Sequence, residues 1–194
     1  MNYHDQLISH LSGILPPSHD EIDRIIRIFT RKLIRKDEYF IRADDTVEYI
    51  GFINKGLFRY FYIDFEGNEK TKYFVRDNDF VFSISSFIEH TPSFFFIEAL
   101  SDSELMVIDA NTLSHLLDSD TYWQTIYRRL LEKSYVIKEK REAEFLLYDA
   151  KDRYMHFIRE YPDISSHVKQ HHIASYLGIA PESLSRIRGQ LGYS

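Results

Sequence analysis

The feature that most limits the fold of this chain is a long segment without a helix breaker. From Tyr122 to Tyr148 the sequence contains neither Gly nor Pro for 27 residues. Because these two residue types interrupt helices most strongly, the segment predicts one continuous helix of about 40 Å, at 1.5 Å per residue. A helix of this length needs another surface to cover its apolar side.

Apolar residues along this helix recur at close to 3.5 residues, which is the spacing of a helix–helix seam. The seam consists of Trp123, Ile126, Tyr127, Leu130, Leu131, Ser134 and Ile137, and Arg128, Arg129, Glu132 and Lys133 lie off it. Two interpretations are open: the helix packs on the domain of its own chain, or it pairs with a second copy. The length of the helix favours the second interpretation, a homodimer.

The residues before the long helix change from a helical to a strand pattern. From Ser18 to Ile34 apolar residues recur every three or four positions, and Ser18 followed by Glu21 fits a capping box, so an amphipathic helix is predicted there. Short β-branched and aromatic runs follow at Tyr49–Ile53, Leu57–Ile63, Glu69–Val75, Phe94–Leu100 and Glu104–Asp109. Turn residues separate these runs, which predicts a small β-barrel or sandwich.

Composition and charge exclude several classes of protein. The sequence has no cysteine, which excludes disulfides, thiolate zinc sites and cysteine-held iron–sulfur clusters. The net charge is −6, but residues 151–194 carry six Lys/Arg and four Asp/Glu, a net of +2 that leaves −8 for the rest. Bulk charge therefore does not favour coating of nucleic acid. No run approaches the ~20 apolar residues of a membrane span, and we expect a cytoplasmic protein without a membrane segment.

The segment from Gln170 to Arg188 has the residue types of two short helices joined by a tight turn. Ala174 is small where one helix would cross closely over the other. Gly178 can adopt the left-handed conformation that ends the first helix, and Pro181 suits the first position of the second. Apolar residues that would join the two helices are Ile173, Leu177, Ile179, Leu184 and Ile187. The pattern is typical of a DNA-binding helix-turn-helix.

The second of these helices has a polar face that could read base edges in a major groove. The candidate DNA-binding residues are Glu182, Ser183, Ser185, Arg186, Arg188 and Gln190, with His171 as a phosphate contact. Arg186 could pair with guanine, and Glu182 could accept from the amino group of cytosine. The alternative is structural, because Glu182 is favourable at any helix N-terminus and forms an ordinary surface pair with Arg186. Ala180, by contrast, is a poor N-cap.

The segment Gly178 to Arg186, which reads Gly-Ile-Ala-Pro-Glu-Ser-Leu-Ser-Arg, resembles the recognition helix of Crp/Fnr transcription regulators. The run from Phe96 to Leu105 and the Pro92-Ser93 pair are similar to members from Bacteroidetes. The resemblance implies that Glu182, Ser185 and Arg186 read bases. It also implies a homodimer on a palindrome whose half-sites lie about one helical turn apart.

The same resemblance implies an α+β fold with three parts. Residues 1–120 would form a cyclic-nucleotide-binding-like β-roll, a double-stranded β-helix or jelly roll similar to that of cupins. Residues 121–150 would form a long dimerisation helix, and residues 151–194 a winged-helix-type helix-turn-helix. The implied partners are double-stranded DNA, a second copy of the chain and RNA polymerase, with an unidentified small-molecule effector as a further candidate.

The roll lacks the residues with which family members bind cyclic AMP, a Gly-Glu pair for the ribose and an Arg-Ser pair for the phosphate. With residues 78–80 aligned, Phe82-Ser83 and Ser93-Phe94 occupy those positions. A buried phosphate would lack a cationic partner, so we predict no cyclic AMP binding. The candidate effector-pocket residues are Phe82, Ser83, Ser93, Phe94 and Phe96. The aromatic run could line a pocket for an apolar effector or fill it as core, and burial of apolar strands favours core.

Two functions from other classes compete with a DNA-binding regulator. One is a β-roll that works through protein contacts, with a vestigial DNA-binding end; the stop at Ser194, where many relatives continue into a wing, favours it. The other is a cupin-like metalloenzyme, against which stands the lack of a His-x-His pair or a carboxylate cluster on any strand. The nine histidines show no metal-ligand spacing, and adjacent His171 and His172 are expected to point about 100° apart. We therefore predict no metal, no cofactor and no enzymatic activity.

Overall fold

The computed structural model describes residues 3–162, 164 and 168–192. The helices are α1 (Tyr3–Ile14), α2 (His19–Ile28), α3 (Ile84–Glu89), α4 (Ala110–Ser119), α5 (Thr121–Leu147), α6 (Ala150–Glu160), α7 (Gln170–Leu177) and α8 (Pro181–Gln190). The strands are β1 (Thr30–Ile34), β2 (Tyr39–Ile41), β3 (Tyr49–Lys55), β4 (Leu57–Ile63), β5 (Glu69–Arg76), β6 (Phe80–Val81), β7 (Phe96–Ala99) and β8 (Ser103–Asp109). His167, one of the nine histidines, lies outside the described residues.

The chain divides into two compact units. The first contains Met1–Tyr60 and Phe74–Lys133, and the second contains Phe61–Tyr73 and Ser134–Ser194. The tip of the β4–β5 hairpin therefore belongs to the second unit, together with the end of α5 and helices α6 to α8.

Two four-stranded sheets form the β-roll, with strand orders β1-β8-β3-β6 and β2-β7-β4-β5. In the first sheet β8 pairs antiparallel with β1 on one side, where Thr30 faces Val107, and with β3 on the other, where Tyr49 faces Asp109. The predicted strands are confirmed, and with them the predicted β-roll in a mixed α+β fold.

The core of the first unit joins the roll to the helices around it. Phe52 on β3, Met106 on β8, Leu11 on α1 and Trp123 on α5 are all buried in one apolar cluster. Burial of this apolar surface is the main term that stabilises the unit, at about 25 cal/mol per Å². The first turns of α5 are therefore part of the core of the roll.

Polar contacts fix the start of α2 against α5. The Ser18 hydroxyl accepts a hydrogen bond from the Glu21 amide at 3.2 Å, which is the predicted N-cap. Glu21 does not complete the capping box, because its carboxylate accepts from Nε1 of Trp123 at 3.1 Å instead. The Glu21 side chain thus connects α2 to the core helix rather than to its own N-terminus.

The predicted amphipathic helix from Ser18 to Ile34 was too long at its C-terminal end. Helix α2 stops at Ile28, and residues from Thr30 onward form β1. Leu33, whose position fits the spacing of a buried helix face, is 60% exposed on that strand. Pairing with β8 decides the conformation here, since tertiary contacts override a local apolar period. Helix α1, with Leu7 and Leu11 buried, was not predicted.

Helix α5 matches the predicted long helix and has two different halves. Near its start Trp123 and Ile126 are each 3% exposed and pack in the core, so this part of the seam follows the first interpretation, packing on its own domain. Farther along, Tyr135 is 63% exposed and Leu146 is 77% exposed. The second half of the helix therefore has an exposed apolar surface, which none of the described residues covers.

The stability of the roll is expected to depend on His10 of α1. Its ring lies 5.2 Å from that of Phe52 and 5.8 Å from that of Phe80. Burial lowers the pKa of His10 below 6.5, Lys133 lowers it further, and Asp79 opposes them. Since the folded state binds this proton more weakly than the unfolded chain, the stabilisation is complete above pH 6.5 and is lost as the pH falls below 6.5 through the lower pKa of the folded state.

We therefore expect His10→Gln to lose less thermal stability than the parent between about pH 8 and about pH 5. The measurement is the melting temperature at several pH values. His115→Gln, which removes an exposed histidine on α4, is the matched control and should keep the parental slope. An equal slope in His10→Gln would contradict the prediction.

Candidate functional site

Helices α7 and α8 are joined by a tight turn that begins at Gly178. This residue has φ 69° and ψ 32°, the left-handed conformation that glycine adopts without a steric penalty. Its amide donates to the Ser175 carbonyl at 3.1 Å, and the Ile179 amide donates to the Ala174 carbonyl at 3.0 Å. Pro181 then starts α8, and Ala180 provides no side-chain cap. The local geometry is as the residue types predict.

The two helices share a buried apolar contact. Ile173 and Ala174 of α7 are fully buried, as are Leu177 beside the turn and Leu184 of α8. Ala174 was predicted to lie where the two helices cross closely, and its small side chain is indeed on a buried face of α7. Because Leu184 faces inward, the residues on the opposite side of α8 are forced toward solvent.

The candidate reading residues separate into two groups on α8. Glu182, Arg186 and Gln190 are exposed on the side opposite Leu184, and Ser185 is exposed beside them. Ser183 and Arg188 are half-buried on the flanks of that leucine. His171, at the start of α7, is exposed. The exposed face of α8 thus presents a carboxylate, a hydroxyl, a guanidinium and an amide, which together can donate to and accept from base edges.

The two adjacent histidines do not point apart. The ring centroids of His171 and His172 are 4.0 Å apart, so the prediction of divergent rings was wrong. Side-chain rotation brings the rings together although their Cβ atoms leave the helix in different directions. His172 is buried, and its Nδ1 lies 3.9 Å from Oε2 of Glu69 on β5. Within the described residues no group of three or more His, Asp or Glu could hold a metal ion.

Sequence reasoning missed a contact between α7 and the β4–β5 hairpin. The Ser175 hydroxyl donates to the Glu69 carbonyl at 2.8 Å and accepts from the Thr71 amide at 2.8 Å. Strand β5 is at the edge of its sheet, so these are backbone groups that a neighbouring strand would otherwise bind. No local pattern around Ser175 indicates this role, because its partners lie more than a hundred positions away.

Aromatic residues pack tightly in the interior of the second unit. The centre of the Tyr176 ring on α7 lies 5.2 Å from the ring centre of Phe157 on α6 and 6.1 Å from that of Tyr161. Burial raises the pKa of Tyr176 to about 12, and the nearby Arg141 opposes that shift. Helix α7 is therefore held by the ring contacts of Tyr176 and by the hydrogen bonds of Ser175 to the β4–β5 hairpin.

The candidate effector residues in the roll do not share one environment. Phe82, Ser83 and Ser93 are buried, Phe96 is half-buried, and Phe94 is 59% exposed. The Ser93 hydroxyl donates to the Phe95 carbonyl at 2.9 Å. The Ser83 hydroxyl, at the N-cap of α3, has no hydrogen-bond partner among the described residues. Phe82 is therefore a core residue, whereas the exposed Phe94 neither fills the core nor lines an enclosed pocket.

A cavity of about 410 Å³ lies elsewhere in the roll. Its lining includes Lys32, Asp44, Asp45 and Tyr49, and none of the five candidate effector residues. The ammonium of Lys32 is 4.4 Å from the centre of the Tyr49 ring. An alignment with cyclic-AMP-binding relatives does not point to these residues, so sequence reasoning had no signal for this cavity.

A buried ion pair crosses the second sheet of the roll. Nε of Arg59 on β4 donates to Oε1 of Glu98 on β7 at 2.7 Å, and the Arg59 side chain is only 1% exposed. The sequence shows two charges in apolar strands but not their pairing. Because this guanidinium is already neutralised, it does not supply the cation that a cyclic phosphate would need.

The sequence from residue 31 to residue 120 matches the family model named cyclic nucleotide-binding domain, from β1 to the end of α4. The matched region includes strands from both sheets of the roll, α3, the buried pair and the candidate effector residues. The family match concerns the fold of the domain and does not name a ligand for this chain.

Solved structures extend the similarity beyond the cyclic nucleotide-binding domain. FixK2 from Bradyrhizobium japonicum is 18% identical over 85% of each chain, with a TM-score of 0.75. CLP, a c-di-GMP-responsive global regulator of Xanthomonas campestris, is 17% identical over 90% of this chain and 92% of its own, with a TM-score of 0.70. A protein from Eubacterium rectale described as a Crp/Fnr-family regulator is 17% identical over 91% of this chain and 84% of its own, with a TM-score of 0.75.

These similarities confirm the predicted likeness to Crp/Fnr regulators as a likeness of fold. No curated protein sequence matches the chain. Among the described helices, none combines the length and the apolar character needed to cross a membrane.

Proposed function

We propose that this chain is a sequence-specific DNA-binding transcription regulator, and not an enzyme, in which α7 and α8 form the helix-turn-helix. The observation that carries the proposal is the exposed polar face of α8, opposite the fully buried Leu184. Helix α8 enters the major groove with Glu182, Ser185 and Arg186 toward base edges. Gln190 extends the same face. The Crp/Fnr-like fold supports this assignment.

The remaining candidate residues have supporting roles in this proposal. Ser183 and Arg188 are half-buried beside Leu184, so they contact the backbone of DNA rather than bases. His171 is exposed at the start of α7, where it reaches a phosphate. Their loss should weaken binding to all sequences about equally.

The regulator works as a homodimer whose seam is the second half of α5. Leu146 and Leu147 are 77% and 75% exposed. In a single chain this apolar surface is in contact with water, which is unfavourable. A second copy supplies a matching apolar helix, and the resulting two-fold symmetry requires a palindromic operator. The division into a roll at 1–120, a dimer helix at 121–150 and a DNA-binding domain at 151–194 is part of the proposal, and RNA polymerase is the expected further partner.

The effector of this regulator is not cyclic AMP. In the roll the guanidinium of Arg59 is bound to Glu98, and the positions aligned with the phosphate-binding pair are Ser93 and Phe94. A cyclic phosphate placed there would find no cation in this pair of residues. Any small-molecule effector must therefore be recognised by other chemistry.

The proposal is tested by a gel shift on palindromic promoter fragments from the organism's own genome. We expect the parent protein to bind one such fragment specifically and Arg186→Ala to abolish specific binding, because a bidentate arginine–guanine pair is worth about 1–3 kcal/mol in each half-site. Arg27→Ala, which removes an exposed arginine of α2, is the matched control and should bind like the parent. Equal binding by Arg186→Ala would contradict the reading role of Arg186, and no binding by the parent would favour a β-roll that works through protein contacts.

A further inference from the structure

The end of α5 presents one face to the helices of the second unit. This joint face consists of Arg141, Glu144 and Phe145 of α5 and of Tyr148 directly after it, at the three- and four-residue spacing that places side chains on one side of a helix. Glu144 Oε1 lies 3.1 Å from Nδ1 of His156 on α6, and the ring of Tyr148 is 4.8 Å from the same histidine. The joint face therefore attaches α5 to α6.

Arg141 connects α5 directly to the end of α7. Its guanidinium carbon lies 3.6 Å from the centre of the Tyr176 ring and 4.8 Å from that of Phe145, and it donates to the Tyr176 carbonyl. Burial lowers the pKa of Arg141, although the side chain stays charged at any physiological pH. The carbonyl that it binds is at the negative end of the α7 dipole, which favours a cation there.

Arg153 of α6 binds the same helix end from the other side. Its Nη2 donates to the Leu177 carbonyl at 3.1 Å and its Nη1 to the Tyr148 carbonyl at 2.7 Å. Its guanidinium carbon is 4.9 Å from the centre of the Phe145 ring. The ring of Phe145 thus contacts both guanidinium groups, and the last carbonyls of α7 are satisfied by two arginines.

We propose that the joint face fixes the orientation of α8 relative to α5, with Arg141 and Arg153 as positioning residues. Helix α8 follows α7 because Leu177 and Leu184 are buried together beside the turn. The apolar surface around Leu146 and Leu147 belongs to the same helix end, so a second copy seated on that surface also sets the direction of α8. This inference rests on the proposed function for its purpose, since a palindrome requires two reading helices at a fixed spacing.

The test measures the spread of distances between two spin labels on the full chain. Because the chain has no cysteine, Lys140→Cys on α5 and Gly189→Cys on α8 provide the only labelling sites. A Cβ added at Gly189 lies in open space, with nothing from the rest of the described structure within 4 Å. Labelled protein is diluted in excess unlabelled parent so that nearly every dimer with labels has them on one chain only.

We expect Arg141→Gln to broaden the distance distribution about twofold relative to the parent. Arg141→Lys should give a distribution of intermediate width, because an ammonium keeps the charge but lacks the planar guanidinium that stacks on the ring and donates from several N–H groups. Arg128→Gln removes an exposed arginine of the same helix and is the matched control. Phe145→Leu, which removes the ring between the guanidiniums, is the second variant if Arg141→Gln does not fold.

A distribution in both Arg141→Gln and Phe145→Leu as narrow as in the parent overturns the inference. A gel shift on the same variants separates this inference from the proposed function. If the parent binds its operator, Arg141→Gln should bind about tenfold more weakly, and unchanged affinity also overturns the inference. If the parent binds no DNA, the proposed function fails, while the label distances still decide whether the joint face fixes α8.

Discussion

Glu98→Gln is expected to lower the free energy of unfolding by about 3 kcal/mol, because it removes the carboxylate that pairs with the buried guanidinium of Arg59. The substitution keeps the shape of the side chain and removes only its negative charge. Arg59 is 1% exposed and cannot turn to water, whereas the Glu98 side chain is 13% exposed. The measurement is equilibrium denaturation with urea, with the single tryptophan, Trp123, as the probe.

The double variant Arg59→Leu/Glu98→Leu separates the cost of an unpaired charge from a general sensitivity of the site. Replacement of a buried pair by apolar residues is often neutral, so we expect it to be within about 1 kcal/mol of the parent. Exposed Lys36→Gln controls for the loss of one charge elsewhere in the roll. A double variant as unstable as Glu98→Gln would show that the pair is not the source of the effect.

Gly178→Val is expected to destabilise the second unit by about 3 kcal/mol, since a β-branched residue is strongly disfavoured in the left-handed region. Gly178 has φ 69°, and a Cβ there would lie 2.8 Å from Cε1 of Phe145. That ring, which is 42% exposed, would have to shift, and the shift would disturb its contacts with the guanidinium groups of Arg141 and Arg153. The measurement is hydrogen exchange of the α7 amides, which reports the free energy of local opening.

Gly189→Ala is the matched control for this prediction. Gly189 lies within α8, has open space where a Cβ would be added, and does not need a positive φ. Alanine in a helix is favoured over glycine by about 1 kcal/mol, so this variant should slow exchange in α8. Faster exchange in Gly189→Ala, or unchanged α7 exchange in Gly178→Val, would contradict the two expectations.

The elements that the sequence predicted well are those whose cause is local. The turn at Gly178 and the start of α8 at Pro181 follow from the backbone preferences of single residues. The long helix α5 follows from 27 residues without a breaker. The prediction that the helix continues to Ile34 was wrong for a non-local reason. Leu33 has a helical spacing in the sequence, but pairing with β8 determines that its segment is a strand.

The contacts that hold the candidate site could not be predicted, because they join distant parts of the chain. Arg141 is one of many charged residues on α5, and only the packed structure shows that it lies against Tyr176. The pairing of Arg59 with Glu98 depends in the same way on neighbouring strands. Helix α1 did have a local signal, since Leu7 and Leu11 are four residues apart and both buried.

Ser175 has a consequence for how copies of this protein behave at high concentration. The outer strand of a sheet, with free amides and carbonyls, is the usual starting point for strand addition and fibre growth. At Glu69 and Thr71 the backbone groups that a foreign strand would bind are already bonded to the Ser175 hydroxyl. A single side chain of α7 therefore acts as a safeguard against aggregation at this edge of the roll.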